Sequence, residues 1–119
     1  MVFNVLAWNC DDHVKNMAFL MDHYGQWSLA PGYDITYSYK NMAGAWTNAH
    51  QMSVNGKFSG IGVEDMVLCA REANMPARKA RAIVSDIADV VLHWQDFAGE
   101  AGVEDRHVSD IGAILALTA

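Results

Sequence analysis

Ala80, Ile83, Val84, Ile87, Val90, Val91, Trp94 and Phe97 recur at intervals of three and four residues, the spacing that aligns side chains along one face of an α-helix. An apolar face of that length has to be buried, so the second half of the chain predicts a helical scaffold around one core. Pro76 stands near the first position of this long helix, and Gly99 and Gly102 end it. A shorter helix, Glu64 to Ala73, precedes it and is closed by Asn74-Met75-Pro76. Val108, Ile111, Ile114, Leu115 and Thr118 trace a third helix. Burying one such side chain is worth roughly 1.5–3 kcal/mol. Trp94→Ala is therefore expected to threaten the fold and not the chemistry.

Before Gly62 the pattern differs. Val2 to Asn9 is apolar and too short for periodicity to separate a helix from a buried strand. Met17 to Met21, the turn residues His23-Tyr24-Gly25-Gln26, and Trp27 to Leu29 form one hairpin candidate. Met52-Ser53-Val54 and Lys57-Phe58-Ser59 form another across Asn55-Gly56, a pair that supplies the positive φ angles of a type I′ turn. Between them, 35–48 is rich in Tyr, Ser, Asn and Gly, has no clean period, and reads as an irregular surface segment. The expected fold is mainly α (α+β): a single domain over 1–119, with two short hairpins and loops in 1–62 and the helical scaffold in 63–119.

Composition excludes several classes. With 119 residues, 52% hydrophobic and 18% charged, the chain belongs with folded single domains. No apolar run reaches membrane-spanning length, and the first residues lack the basic start and cleavage site of a signal peptide. A net charge of -6 opposes direct binding to nucleic acid. The Arg78-Lys79-Ala80-Arg81 cluster reads as a solvated helix start. Cys10 and Cys69 have no metal-ligand spacing. Cys69 fits a reduced core position, and Cys10 lies beside carboxylates that disfavour a thiolate. The expected location is the cytoplasm.

The chemistry-bearing residues are concentrated in two short segments: Asp11-Asp12-His13-Val14-Lys15-Asn16 and Trp27-Ser28-Leu29-Ala30-Pro31-Gly32-Tyr33-Asp34. Phosphoryl transfer from a magnesium nucleotide needs one carboxylate to orient and deprotonate a hydroxyl, and an Asn with an Asp to hold the metal. Asp11 and Asn16 alone would fit ordinary loop formation. Adding Asp34 at the far end of a hairpin favours function.

The Asp-Asp-His-x-Lys-Asn segment resembles the catalytic loop of HipA-like serine/threonine kinases, toxin components of bacterial toxin–antitoxin systems. Trp-x-Leu-x-Pro-x-Tyr-Asp resembles the metal-binding loop of the same family. Asn55-Gly56-Lys57 and the helical tail are similar to its C-terminal lobe, so the resemblance spans essentially this whole chain and the second half of the family's usual length. It implies that Asp11 is the catalytic aspartate, that Asn16 and Asp34 hold Mg2+, and that His13, Val14, Lys15 and Tyr33 line the ATP site with them. It also implies a protein substrate, in this family translation-related, and a DNA-binding antitoxin as partner. The phosphate-covering loop, a phosphate-pairing lysine and the adenine-binding residues are expected from a separate N-terminal kinase lobe. The chain alone is expected to bind ATP weakly and to transfer no phosphate.

For the remaining residues blander roles are expected. Asp12 faces solvent or serves as a structural acceptor, His13 orients the loop through a hydrogen bond, and His50 and His107 lie on the surface. Two other functions stay open. One is a non-catalytic binding module that engages an antitoxin or partner subunit. The other is a metal-dependent phosphoesterase built on Asp11, Asp12 and His13, for which the motif offers few ligands.

Overall fold

The computed structural model of the chain describes residues 1–43 and 45–117. It contains, in order, α1 (Val2–Leu6), β1 (Phe19–Met21), β2 (Trp27–Leu29), α2 (Val63–Glu72), α3 (Ala77–Leu92), α4 (Trp94–Glu100) and α5 (Asp105–Leu115). The domain is mainly α with one antiparallel hairpin, as the apolar spacing predicts. The segment of ambiguous period at the start is helical: Val5 and Leu6 of α1 are buried, and α1 packs on α3.

The core is one cluster. Val5, Leu6 and Ala7 meet Val54, Met66 of α2, Val84 and Val91 of α3, and Leu115 of α5. Each α3 member of this cluster comes from the face read in the sequence. Helix α2 packs beside α3, and α4 beside α5. The Trp94 indole N–H donates to the Val108 carbonyl at 2.9 Å, which joins these last two helices.

The long helix expected through Phe97 is divided. Helix α3 stops at Leu92, and His93 adopts φ -82° and ψ 17°. Its backbone N–H bonds back three residues to Val90, and its ring Nδ1 lies 2.7 Å from the Asp89 carbonyl. The ring thus takes up a carbonyl that helix continuation would use, and the chain restarts as α4. Gly99 lies inside α4; Gly102, at φ 70°, follows its end. The apolar face continues across the break, so the periodicity could not reveal it. Thr118 of the expected last helix lies outside the described residues.

The second hairpin candidate is reduced to its turn. Asn55 (φ 51°) and Gly56 (φ 75°) form the expected two-residue reversal, closed by reciprocal Val54–Lys57 backbone bonds, but only that pair bridges. Backbone groups that a longer ladder would use bond elsewhere, the Met52 N–H to Asp12 Oδ1 at 3.3 Å and the Phe58 carbonyl to the His50 N–H at 3.0 Å, and the turn itself is held by the Asp65 carboxylate. Asn55 Nδ2 and Lys57 Nζ donate to its two oxygens at 2.8 and 2.9 Å, and the Gly62 N–H donates to Asp65 Oδ2 at 2.9 Å. The turn is tied to the first turn of α2 and does not extend into strands. These three donors hold the Asp65 carboxyl down at about 2, the Asn55 bond being the largest cause.

The first hairpin forms as expected, with Phe19 opposite Leu29 and Met21 opposite Trp27. Its turn is held by Asp22, whose Oδ1 accepts from the Tyr24 and Gln26 N–H groups. Yet all six strand residues are exposed, so the hairpin projects from the domain.

Candidate functional site

The chain leaves α1 through Trp8, whose φ of 51° turns it sharply into the loop. Asn9 pairs with Ser38 in a parallel bridge, so residues 8–10 and the 38 region run side by side. This brings two loops far apart in sequence, 10–16 and 30–38, onto one surface.

Asn16 is the junction between them. Its Nδ2 donates to the Asp11 carbonyl and to Asp34 Oδ2, both at 2.9 Å. Asp34 sits at φ 57°, a left-handed conformation that Asp tolerates better than most residues. Its carbonyl accepts from Asn9 Nδ2 at 2.9 Å, and the same amide nitrogen reaches Asn4 Oδ1 at 3.3 Å. Asn9 is 2% exposed, so a buried amide anchors the backbone of the exposed Asp34. The hydroxyl of Tyr33 donates to the Lys15 carbonyl at 2.9 Å and ties the two loops a second time.

Asp11 contributes its backbone to this junction and its carboxylate elsewhere. Oδ1 accepts from the Trp46 indole N–H at 3.3 Å and lies 3.9 Å from His13 Nε2. The structure therefore brings Asp11, Asn16, Tyr33 and Asp34 together, with the Lys15 backbone among them. The Lys15 side chain is exposed, and Val14 is 75% exposed and points away from the fold. The loop-orienting bond of His13 comes from its carbonyl, which accepts from the Asn16 N–H at 3.0 Å, and not from its ring: Nδ1 is buried without a partner among the described residues, and 3.9 Å to Asp11 Oδ1 is too long for a hydrogen bond from Nε2.

Asp12 and His50 were the least legible residues. Asp12 is 2% exposed, and of its two expected roles the structural acceptor is the one it takes. Its Oδ2 lies 2.9 Å from His50 Nδ1, and its Oδ1 accepts from the N–H groups of Gln51 at 2.8 Å and Met52 at 3.3 Å. His50, expected at the surface, is 7% exposed. A buried carboxylate needs donors, and the imidazole is one of the three it finds. His107 is half exposed, as expected. Burial, and then the Asp12 charge, push the Cys10 thiol up to about 11, which removes it as a nucleophile at neutral pH.

Asn9, Trp46, His50 and Gln51 are the supporting residues that the sequence did not announce. Each acts on a partner 25 to 39 positions away, and no local motif marks such pairs.

The donor chemistry at the junction suits a hard cation. The Asn16 amide oxygen and Asp34 carboxylate are oxygen ligands, both reachable from solvent, and Mg2+ takes few protein ligands while keeping waters and phosphate oxygens. Among the described residues no group of three or more His, Cys, Asp or Glu could hold a metal ion. Asp12, one of the three residues a phosphoesterase would use, has both carboxylate oxygens bonded to the 50–52 segment, which counts against that reading. A cation held by Asn16 and Asp34 would draw its other ligands from a nucleotide and water.

Compared with known families, residues 1–110 match the model described as the HipA-like C-terminal domain. No curated protein and no solved structure matches the chain. Among the described residues, no helix is long and apolar enough to cross a membrane.

Proposed function

The chain belongs to the HipA-like C-terminal domain family, and from that membership and the loop junction we propose that it is the C-terminal lobe of a serine/threonine protein kinase of the HipA type. It acts on a protein hydroxyl with magnesium ATP. The observation that carries this reading is the Asn16 amide, seated between the Asp11 carbonyl and the Asp34 carboxylate.

Asp11 is the base. It accepts the proton of the substrate hydroxyl as that oxygen bonds to the γ-phosphorus and the bond to the ADP oxygen breaks. Its carboxylate is partly exposed, with Oδ1 accepting from the Trp46 indole, and a hydroxyl can approach it from solvent. Asn16 and Asp34 hold Mg2+, which neutralises the phosphate charge when bound. Asn9 fixes the Asp34 backbone, and Tyr33 with the Lys15 backbone keeps the two loops together. Because phosphoryl transfer relies on positioning from both sides of a cleft, a nucleotide-covering N-terminal lobe completes the site. The exposed apolar hairpin next to the junction, with Phe19, Leu20, Met21, Trp27 and Leu29 all open to solvent, supports a covering partner. The family resemblance adds a toxin–antitoxin setting, a translation-related substrate, a DNA-binding antitoxin and a cytoplasmic location to the proposal.

The test is to combine this chain with its nucleotide-binding lobe and follow transfer from radiolabelled magnesium ATP. Transfer is expected, and Asp11→Asn or Asp34→Ala should lower it by on the order of 10²-fold or more. The exposed hairpin also supports a second reading, a binding module without catalysis. No transfer by the unsubstituted protein, with partner binding retained, would favour that reading and end the first, and transfer unchanged in Asp11→Asn would remove Asp11 as the base.

A further inference from the structure

Asp11 and Asp12 are neighbours that point in opposite directions. The Asp11 carboxylate is 41% exposed, whereas that of Asp12 is fully buried. Turning a carboxylate inward is costly unless donors meet it, and here one short segment supplies all three: the His50 ring, the Gln51 N–H and the Met52 N–H. The same segment returns to Asp11. Gln51 Nε2 donates to the Trp46 carbonyl at 2.7 Å and to the Ala49 carbonyl at 3.3 Å, and the Trp46 indole donates to Asp11 Oδ1. Residues 46–52 therefore grip both carboxylates, one inside and one outside.

We infer that the buried Asp12–His50 pair is a positioning device for Asp11: by locking the adjacent carboxylate into segment 46–52, it fixes the outward direction of Asp11 and sets the Trp46 indole against it. This rests on the kinase reading for its consequence in catalysis, but not for the geometry itself. His50 and Asp12 touch no reacting atom. They act on the angle at which Asp11 meets a hydroxyl, while Asp34 is held through Asn9, the Lys15 backbone through Tyr33, and Asn16 by the Asp11 carbonyl and not by its carboxylate. Losing the pair should lower turnover and leave nucleotide binding in place.

The direct test uses the 119-residue chain with isotope labels. His50→Leu removes the ring donor, and His50→Asn presents an amide donor near the place of Nδ1. Core methyl resonances of Val54, Val84 and Leu115 report whether each variant is folded. In His50→Leu the Trp46 indole N–H and the Asp11 carboxyl carbon should shift, and in His50→Asn they should return toward the parent positions. Should His50→Leu fail to fold, Asp12→Asn supplies the same comparison with nearly unchanged volume. Indole and carboxyl signals that stay in place in a folded variant would overturn the inference.

A second measurement, on the chain joined to its nucleotide-binding lobe, separates this idea from the kinase reading. His50→Leu should reduce kcat by about 10- to 100-fold, the scale expected for small misplacement of a reacting group, with KM for magnesium ATP within about twofold and recovery in His50→Asn. An unchanged kcat would overturn the inference. If the unsubstituted protein transfers no phosphate, the kinase reading falls, and the resonance experiment alone decides whether the pair positions Asp11.

Discussion

Replacing Asn16 by Asp tests the loop junction without any second lobe. The substitution keeps the size of the side chain but exchanges a donor for a carboxylate. Two hydrogen bonds at 2.9 Å are lost, one to the Asp11 carbonyl and one to Asp34 Oδ2. Each is worth about 1 kcal/mol net. The new carboxylate also stands against Asp34. At roughly 3 Å and the dielectric constant of water, two unit charges repel by about 1.4 kcal/mol, and the exposure of Asp34 makes water the proper reference. Together these give a loss of about 3 kcal/mol, reduced to the extent that the two carboxylates can swing apart. Urea unfolding of the chain in NaCl alone measures it. Magnesium should then act in the opposite sense, because the variant offers the cation two carboxylates in place of one. At Mg2+ about ten times its dissociation constant, linkage returns about 1.4 kcal/mol, with ionic strength held constant by lowering NaCl. The parent chain, with one carboxylate, should gain less at the same Mg2+. A loss in Asn16→Asp that is the same with and without Mg2+ would show that residues 16 and 34 do not share a cation.

Three further outcomes are tied to particular contacts. The Asp65 carboxyl is lowered from its ordinary 3.8 to about 2, so its contribution to stability is present above about 3.8 and fades as pH falls toward about 2; Asp65→Asn should flatten unfolding stability measured across that window, and an equally steep curve would contradict the Asn55–Gly62–Lys57 network. Trp94→Phe should cost about 1 kcal/mol for the bond to Val108, and Trp94→Ala about 2–4 kcal/mol, less than full burial would give because the ring is half-buried; equal losses in urea titrations would mean that ring packing contributes nothing. Iodoacetamide at pH 8 followed by mass spectrometry should label the half-buried Cys69 and spare Cys10, which is fully buried and raised to about 11.

Much of the scaffold was legible because helices are local. The intervals among Ala80, Val84 and Val91 identify the face that enters the core, and Asn55-Gly56 specifies its turn from two residues alone. What escaped was the point at which a competing local bond wins. Nothing in the apolar pattern shows that the His93 ring meets the Asp89 carbonyl and divides the long helix. Likewise, the strands expected beyond Val54 and Lys57 depended on a ladder, and its backbone groups are taken elsewhere: the Met52 N–H donates to Asp12 Oδ1 and the Phe58 carbonyl accepts from the His50 N–H.

The junction behaves in the opposite way, because the candidate residues it brings together were readable and their supports were not. On the proposed kinase reading, Asp11, Asn16 and Asp34 stand out in the sequence because metal-assisted phosphoryl transfer would restrict the residue types at those places. Their geometry, however, depends on Asn9 holding Asp34, on Tyr33 spanning two loops, and on segment 46–52 gripping Asp12. Asn, Tyr and His are used there as ordinary hydrogen-bond formers, so their residue type carries no mark of the task. Exposure adds a second reason. A carboxylate left open to water, as Asp34 is, gains little from any single contact, so its placement must come from buried partners such as Asn9 at 2% exposure. A site built this way has chemistry that is local in sequence and precision that is distributed, which is why substitutions at Asn9 or His50 are more informative about its mechanism than a further change at Asp11.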